Sequence, residues 1–293
     1  MSLRIKETHM TDPVISAAEL LSTLGRPPFG SSGPVILESM KYLPGEPGNP
    51  AAEFAAGRIP GARYFDVDLI ADADASLPHM LPAPGRFARL VGALGIGNDT
   101  DIVVYDRGPM FWASRVWWMF AAMGHDRVRV LDGGWAAWRA AGGPVETGMP
   151  AIPTATAFVP SPRAMRVRGV GDLVANLGSR AELVVDARAT ARFHAQAPEI
   201  RPGLRSGHIP GAVNLPAASL LGPDKTMLPI PELKAKIAAA GIDGTKPVVT
   251  SCGSGVSATL ITLAMVRAGM APGAVYDGSW TEWGARHDLP IET

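Results

Sequence analysis

The stretch VVTSCGSGVSATLITLAMVRAG, residues 248–269, sets a short apolar run, a loop of small residues and a longer apolar pattern in direct succession. The run has the length of a buried strand, and Leu260, Leu263, Ala264 and Val266 recur near helical spacing. Gly269 stands where the helix closes through a left-handed residue. A strand that turns into a helix through a glycine-bearing loop is the unit of an α/β fold built on a mostly parallel sheet, and such folds place ligands at that turn.

The same organisation extends outward. Short β-rich runs (DIVVYD, RVRVLD, AELVVDAR, KPVVTS) alternate with helical patterns such as ASRVWWMFAAMG, which Gly124 closes. The chain also repeats itself. GRIPGARYFDVDL from Gly57 matches GHIPGAVNLPAASL from Gly207, an offset of 150 residues, and GIGNDTDIVVYDRG matches GIDGTKPVVTSCGSG. LDGGWAAWRAAGGPVET matches VYDGSWTEWGARHDLPIET in the same order. A period this long is duplication of a whole domain rather than a solenoid. Two similar units are therefore expected, over residues 11–147 and 166–293. Between them the proline-bearing GMPAIPTATAFVPSPRAM, residues 148–165, reads as a linker. The opening MSLRIKETHM reads as a polar tail.

Composition narrows the function classes. A hydrophobic fraction of 47% with 18% charged residues suits a packed, soluble globular chain. Basic and acidic residues balance at 27 each, so no overall field recruits nucleic acid or an acidic membrane surface. The single cysteine excludes an internal disulfide, and no charged-then-apolar leader or run of about 18 apolar residues is present. A reducing cytoplasm is the expected location. His125, His194, His208 and His287 show no metal-ligand spacing, so neither a metal nor another cofactor is expected. Phe111, Trp112, Trp117, Trp118 and Phe120 fall at helical spacing and are assigned to packing.

Cys252 sits between the strand and the helix. A lone cysteine commonly serves as a small buried apolar residue. Here Gly253 and Gly255 let the loop fold tightly with its N–H groups inward at a helix start, which makes an anion cradle and points to a nucleophile. Three thiol chemistries compete. A phosphatase loop needs Arg six residues after the cysteine, where Ala258 stands. A thiol protease needs a histidine base, and His208 and His287 have nothing specific to proteases around them. In sulfur transfer the thiolate takes a sulfane sulfur and hands it to another nucleophile.

The repeated IPGA, the repeated DG-x-W (Asp132 to Trp135, Asp277 to Trp280) and a cysteine loop in the second copy alone resemble the two-domain rhodanese-type sulfurtransferases over nearly the whole chain. The resemblance implies two tandem rhodanese-like domains. The loop CGSGVSA, residues 252–258, resembles that of the 3-mercaptopyruvate sulfurtransferases, whereas basic residues after the cysteine accompany thiosulfate as donor. Thiosulfate is a dianion that benefits from such a cation, and Gly253 and Ser254 supply none.

Further residues follow from the resemblance. DARATARFHAQAPEIRPG is similar to the segment with two substrate arginines nine residues apart, here Arg192 and Arg201, although Ala191 and the sequence PEIRPG depart from the usual pattern. Guanidinium suits a bidentate grip on carboxylate. Arg188 is expected to be structural. Gly253, Gly255, Val256 and Ser257 complete the substrate loop. Ser254, His79 and Asp68 are implied as a proton-handling set in which a histidine of near-neutral pKa works through a hydroxyl, and this places the site between the domains. In the first copy an ungapped match sets Asp106 and Arg107 where Ser251 and Cys252 stand, so that copy forms no persulfide. The expected reaction moves sulfur from 3-mercaptopyruvate through Cys252 to a thiol such as thioredoxin, or to cyanide. Thiosulfate as principal donor and a non-catalytic anion-binding module are the competing readings.

Overall fold

The computed structural model describes residues 12–24, 33–43 and 46–293. The opening decapeptide, and residue 11 where the first unit is expected to begin, lie outside them.

The chain forms two five-stranded sheets in which every strand pairing is parallel. The first comprises β1 (Val14–Ile15), β2 (Val35–Glu38), β3 (Arg63–Tyr64), β4 (Ile102–Tyr105) and β5 (Val128–Leu131), in the order β1-β5-β4-β2-β3. The second comprises β6 (Val167–Arg168), β7 (Leu183–Asp186), β8 (Val213–Asn214), β9 (Val248–Ser251) and β10 (Ala274–Tyr276), in the order β6-β10-β9-β7-β8. The two orders are the same permutation, as a duplicated unit requires. The central strands β4 and β9 are buried along their whole length, which is why they read as continuous apolar runs rather than alternating ones.

Each central strand feeds a helix, Phe111–Ala122 after β4 and Ala258–Arg267 after β9. Gly124 (φ 89°) and Gly269 (φ 79°) follow them in the left-handed region. Both helices are apolar nearly all round because each packs on its own sheet and also against the other helix. At their contact Ser114 Oγ lies 2.9 Å from Thr259 Oγ1, with both side chains buried. One apolar core consequently runs through both halves, from Leu37 and Trp118 to Leu260 and Val275.

The seam exchanges contacts in a two-fold manner. Asp132 Oδ1 accepts from the Met227 amide at 2.7 Å, and Asp277 Oδ2 accepts from the Leu81 amide at 2.6 Å. Each aspartate of the repeated DG-x-W thus reaches into the other half.

The linker forms no regular element before a short 3-10 turn at Ala164–Arg166, yet it does not hang free. Thr156 N donates to Gly92 O, Ser161 N to Met123 O and Arg163 N to Ala122 O. Phe158 packs among Phe87, Phe120 and His125. Part of the expected spacer is therefore a strap on the first half.

Candidate active site

The loop after β9 is shaped from both sides. The helix Ser279–Trp283, which continues the second DG-x-W, ties down its carbonyls: Trp280 N donates to Cys252 O at 3.0 Å, and Thr281 donates to Gly253 O through N at 2.8 Å and Oγ1 at 2.6 Å. Cys252 N donates to Ser279 Oγ at 3.1 Å. Gly255 adopts φ +73°, and a Cβ there would lie 2.6 Å from Asp277 O, so only glycine fits. Among the described residues no acceptor takes the amides of residues 253–258. A row of unclaimed N–H groups at a helix start is a place for an anion.

The first half shows the same loop with an anion in it, at a position that the ungapped match misplaces by one residue. Glu38 pairs with Tyr105 and Asp186 with Ser251, so Asp106, not Arg107, stands where Cys252 stands. Trp135 N donates to Asp106 O at 2.9 Å, as Trp280 N does to Cys252 O. Reading back from Ser114 and Thr259 shifts the match because the first loop holds one more residue. Asp106 Oδ1 accepts from the amides of Gly108 (3.0 Å) and Met110 (3.2 Å), and Oδ2 from those of Trp112 (3.0 Å) and Ala113 (3.1 Å). Burial pushes this carboxyl up to about 6, against the pull of those four amides. The first cradle is filled by its own side chain.

Between the halves lies a cleft of about 620 Å³. Cys252 is 2% exposed and lines it, together with Gly253, Ser254, Val256 and Ser257. Arg192 and Arg201 line it as well, so both arginines share the cleft with the cysteine. Gly255 does not line it; its part is to bend the backbone against Asp277. From the first half come Lys41, Arg107, Phe111 and Trp112, so two of the aromatics assigned to packing also face the cleft.

His79 and Asp68 are together, with Nδ1 2.5 Å from Oδ1, while Lys41 pairs with the other carboxylate oxygen. Neither His79 nor Asp68 is part of the cleft lining. His79 Nε2 faces Arg201 Nη2 at 3.4 Å, and Trp112 abuts the ring edge to face. Burial, then the cations Arg115, Lys41 and Arg201, push the imidazole down to about 3. It is neutral at physiological pH, with its proton on Nδ1 toward Asp68 and its Nε2 lone pair toward Arg201. This corrects the expectation of a near-neutral acid. No hydrogen bond joins His79 to Ser254 among the described residues.

Two participants escaped the sequence reading. Arg115 is wholly buried and donates to Gly255 O (3.1 Å), Asp277 Oδ1 (2.6 Å) and His79 O. A lone charge inside the apolar pattern WASRVWWMFAA was its signal, since such a charge requires buried partners. Glu199, between the two cleft arginines in sequence, contacts Arg188 and Arg192. Arg188 is buried on Asp186 and does not line the cleft, which suits the structural part expected of it. Among the described residues no cluster of His, Cys, Asp and Glu is gathered for a metal, and no helix is long and apolar enough to cross a membrane.

Comparison with known proteins agrees with this architecture. The family model for the rhodanese-like domain matches twice, at residues 49–141 and 170–286. The chain is 40% identical over 263 residues to 3-mercaptopyruvate sulfurtransferase of Escherichia coli (strain K12), covering 88% of this chain and 91% of that protein. It is 38% identical over 303 residues to thiosulfate/3-mercaptopyruvate sulfurtransferase 1, mitochondrial, of Arabidopsis thaliana, covering 97% and 79%. A crystal structure from Escherichia coli, described as a 3-mercaptopyruvate sulfotransferase of the "Rhodanese" fold, superposes with a TM-score of 0.80 at 33% identity, covering 92% of this chain and 99% of that one.

Proposed function

This chain belongs to the rhodanese family, two of whose domains it carries in tandem, and from that premise we propose that it is a 3-mercaptopyruvate sulfurtransferase whose sulfur carrier is Cys252. The Cys252 thiolate attacks the thiol sulfur of 3-mercaptopyruvate. An S–S bond forms, the C–S bond breaks, and its electron pair leaves on carbon as the enolate of pyruvate. The enolate takes up one proton and departs as pyruvate, leaving Cys252 as a persulfide. An acceptor thiol such as thioredoxin, or cyanide, then attacks the outer sulfur and restores the thiolate.

The observation that carries this reading is the pair of cradles. Four amides in the first half hold the Asp106 carboxylate, while in the second half the amides of residues 253–258, which follow Cys252, have no acceptor among the described residues. They are free to stabilise sulfur anions on Cys252. Arg192 and Arg201 grip the donor carboxylate. Ser254, which lines the same cleft as Cys252, passes a solvent proton to the enolate. Neutral His79, fixed by Asp68, keeps Arg201 in position.

Incubation with 3-mercaptopyruvate is expected to add about 32 Da, one sulfur atom, to the intact chain and to release an equal amount of pyruvate. Cys252→Ser is expected to do neither while keeping the fold. A chain that gains no mass is a non-catalytic anion-binding module instead. Thiosulfate as principal donor is the other competing reading, and a higher kcat/KM for thiosulfate on one preparation would establish it.

A further inference from the structure

Glu199 sets its carboxylate between two guanidiniums in the wall of the cleft. Oε1 accepts from Arg188 Nη1 at 2.6 Å and Oε2 stands 3.6 Å from Arg192 Nη1, with the side chain only 3% exposed. Arg188 has no charge to spare for a ligand. It is bound to Asp186 through Nε and Nη2, it donates to Gly207 O at 2.7 Å, and its guanidinium lies 4.3 Å over the Trp280 ring. Asp186, Arg188, Glu199 and Arg192 therefore sum to zero charge. Of this group and its neighbour in sequence, Arg201 alone is left as a net cation.

We propose that Glu199 is a specificity-determining residue, which neutralises Arg192 and so lowers the positive charge that this wall of the cleft presents, to the benefit of a donor with one carboxylate and at the expense of a dianionic donor. The inference rests on the reading of Cys252 as the sulfur carrier. Its physical basis is that the interaction of a ligand with a fixed charge scales with the ligand's own charge. A carboxylate at this wall costs a dianion such as thiosulfate twice what it costs the monoanion of 3-mercaptopyruvate. It also orients Arg192, which otherwise has a flexible stem and no partner of opposite charge among the described residues.

The test is kcat/KM for both donors at fixed ionic strength, with intact mass after each donor as the control. Glu199→Gln keeps the shape and removes the charge. Its thiosulfate kcat/KM is expected to rise about tenfold relative to that for 3-mercaptopyruvate, carried mainly by KM. Glu199→Asp, which keeps the charge, is expected to retain the wild-type ratio within about threefold. Ile200→Lys adds a cation at a cleft position that is 53% exposed and disturbs no buried pair. It must move the ratio in the same direction, which keeps the inference open to refutation should Glu199→Gln fail to fold. A ratio unchanged in both Glu199→Gln and Ile200→Lys overturns the inference while leaving the sulfur carrier intact. A wild-type chain that takes no sulfur from either donor overturns both.

Discussion

Arg115 Nη1 lies 2.6 Å from Asp277 Oδ1, with both side chains buried and the two residues 162 positions apart in the sequence. The other oxygen of Asp277 accepts from Leu81 N, the same Nη1 also donates to Gly255 O, Nη2 donates to His79 O, and the guanidinium lies over the Trp118 ring. One cation from the first half therefore joins the cysteine loop, the second DG-x-W turn and the segment that carries His79. This tie holds the cysteine loop of the second half against the His79 segment of the first.

Arg115→Met removes the cation and leaves Asp277 as an uncompensated buried charge. The expected loss is about 3–5 kcal/mol of unfolding free energy in urea, with Arg115→Met/Asp277→Asn recovering part of it. A loss under about 1 kcal/mol in the single variant would show that the pair is not the tie described.

The two glycines of the cradle are expected to respond differently. A Cβ at Gly255 meets Asp277 O at 2.6 Å in a left-handed backbone, whereas a Cβ at Gly253 meets nothing within 4 Å. Gly255→Ala is expected to shift the loop, to cost about 1–3 kcal/mol, and to lower kcat by more than about tenfold. Gly253→Ala is expected to keep the stability of the parent chain. Equal stability of the two variants in urea would contradict the assigned backbone role.

His79 couples the seam to pH. In the folded chain it is pushed down to about 3, and its ordinary value is 6.5. Between these values the unfolded chain holds one proton more, so this contribution to stability is full above pH 6.5 and is lost as the pH falls toward 3. The slope is at most about 1.4 kcal/mol per pH unit. Urea unfolding of His79→Gln between about pH 5 and 7 is expected to fall less steeply with pH than that of the parent chain. Parallel curves would mean that the imidazole is not buried neutral.

Much of the fold and part of the site were legible in the sequence. The strand, loop and helix at 248–269 are specified by neighbours within a few residues, so periodicity and glycine placement suffice to read them. The duplication shows in repeated IPGA and DG-x-W because each copy must solve the same local turn. Cys252, Arg192 and Arg201, which line one cleft, could be singled out because loop chemistry and a family pattern are carried by short segments. Tertiary structure alone decided the rest. Phe158 left the linker for a core because Phe87, Phe120 and His125 offered it a dry surface. Asp106 rather than Arg107 faces the first cradle because strand register, not sequence alignment, sets the count. His79 is a neutral partner of Arg201 because distant cations and burial, summed in space, outweigh its ordinary affinity for a proton. Local pattern reports what a residue's neighbours in sequence allow, while charge balance and burial are sums over neighbours in space, and these exist only once the two halves have met.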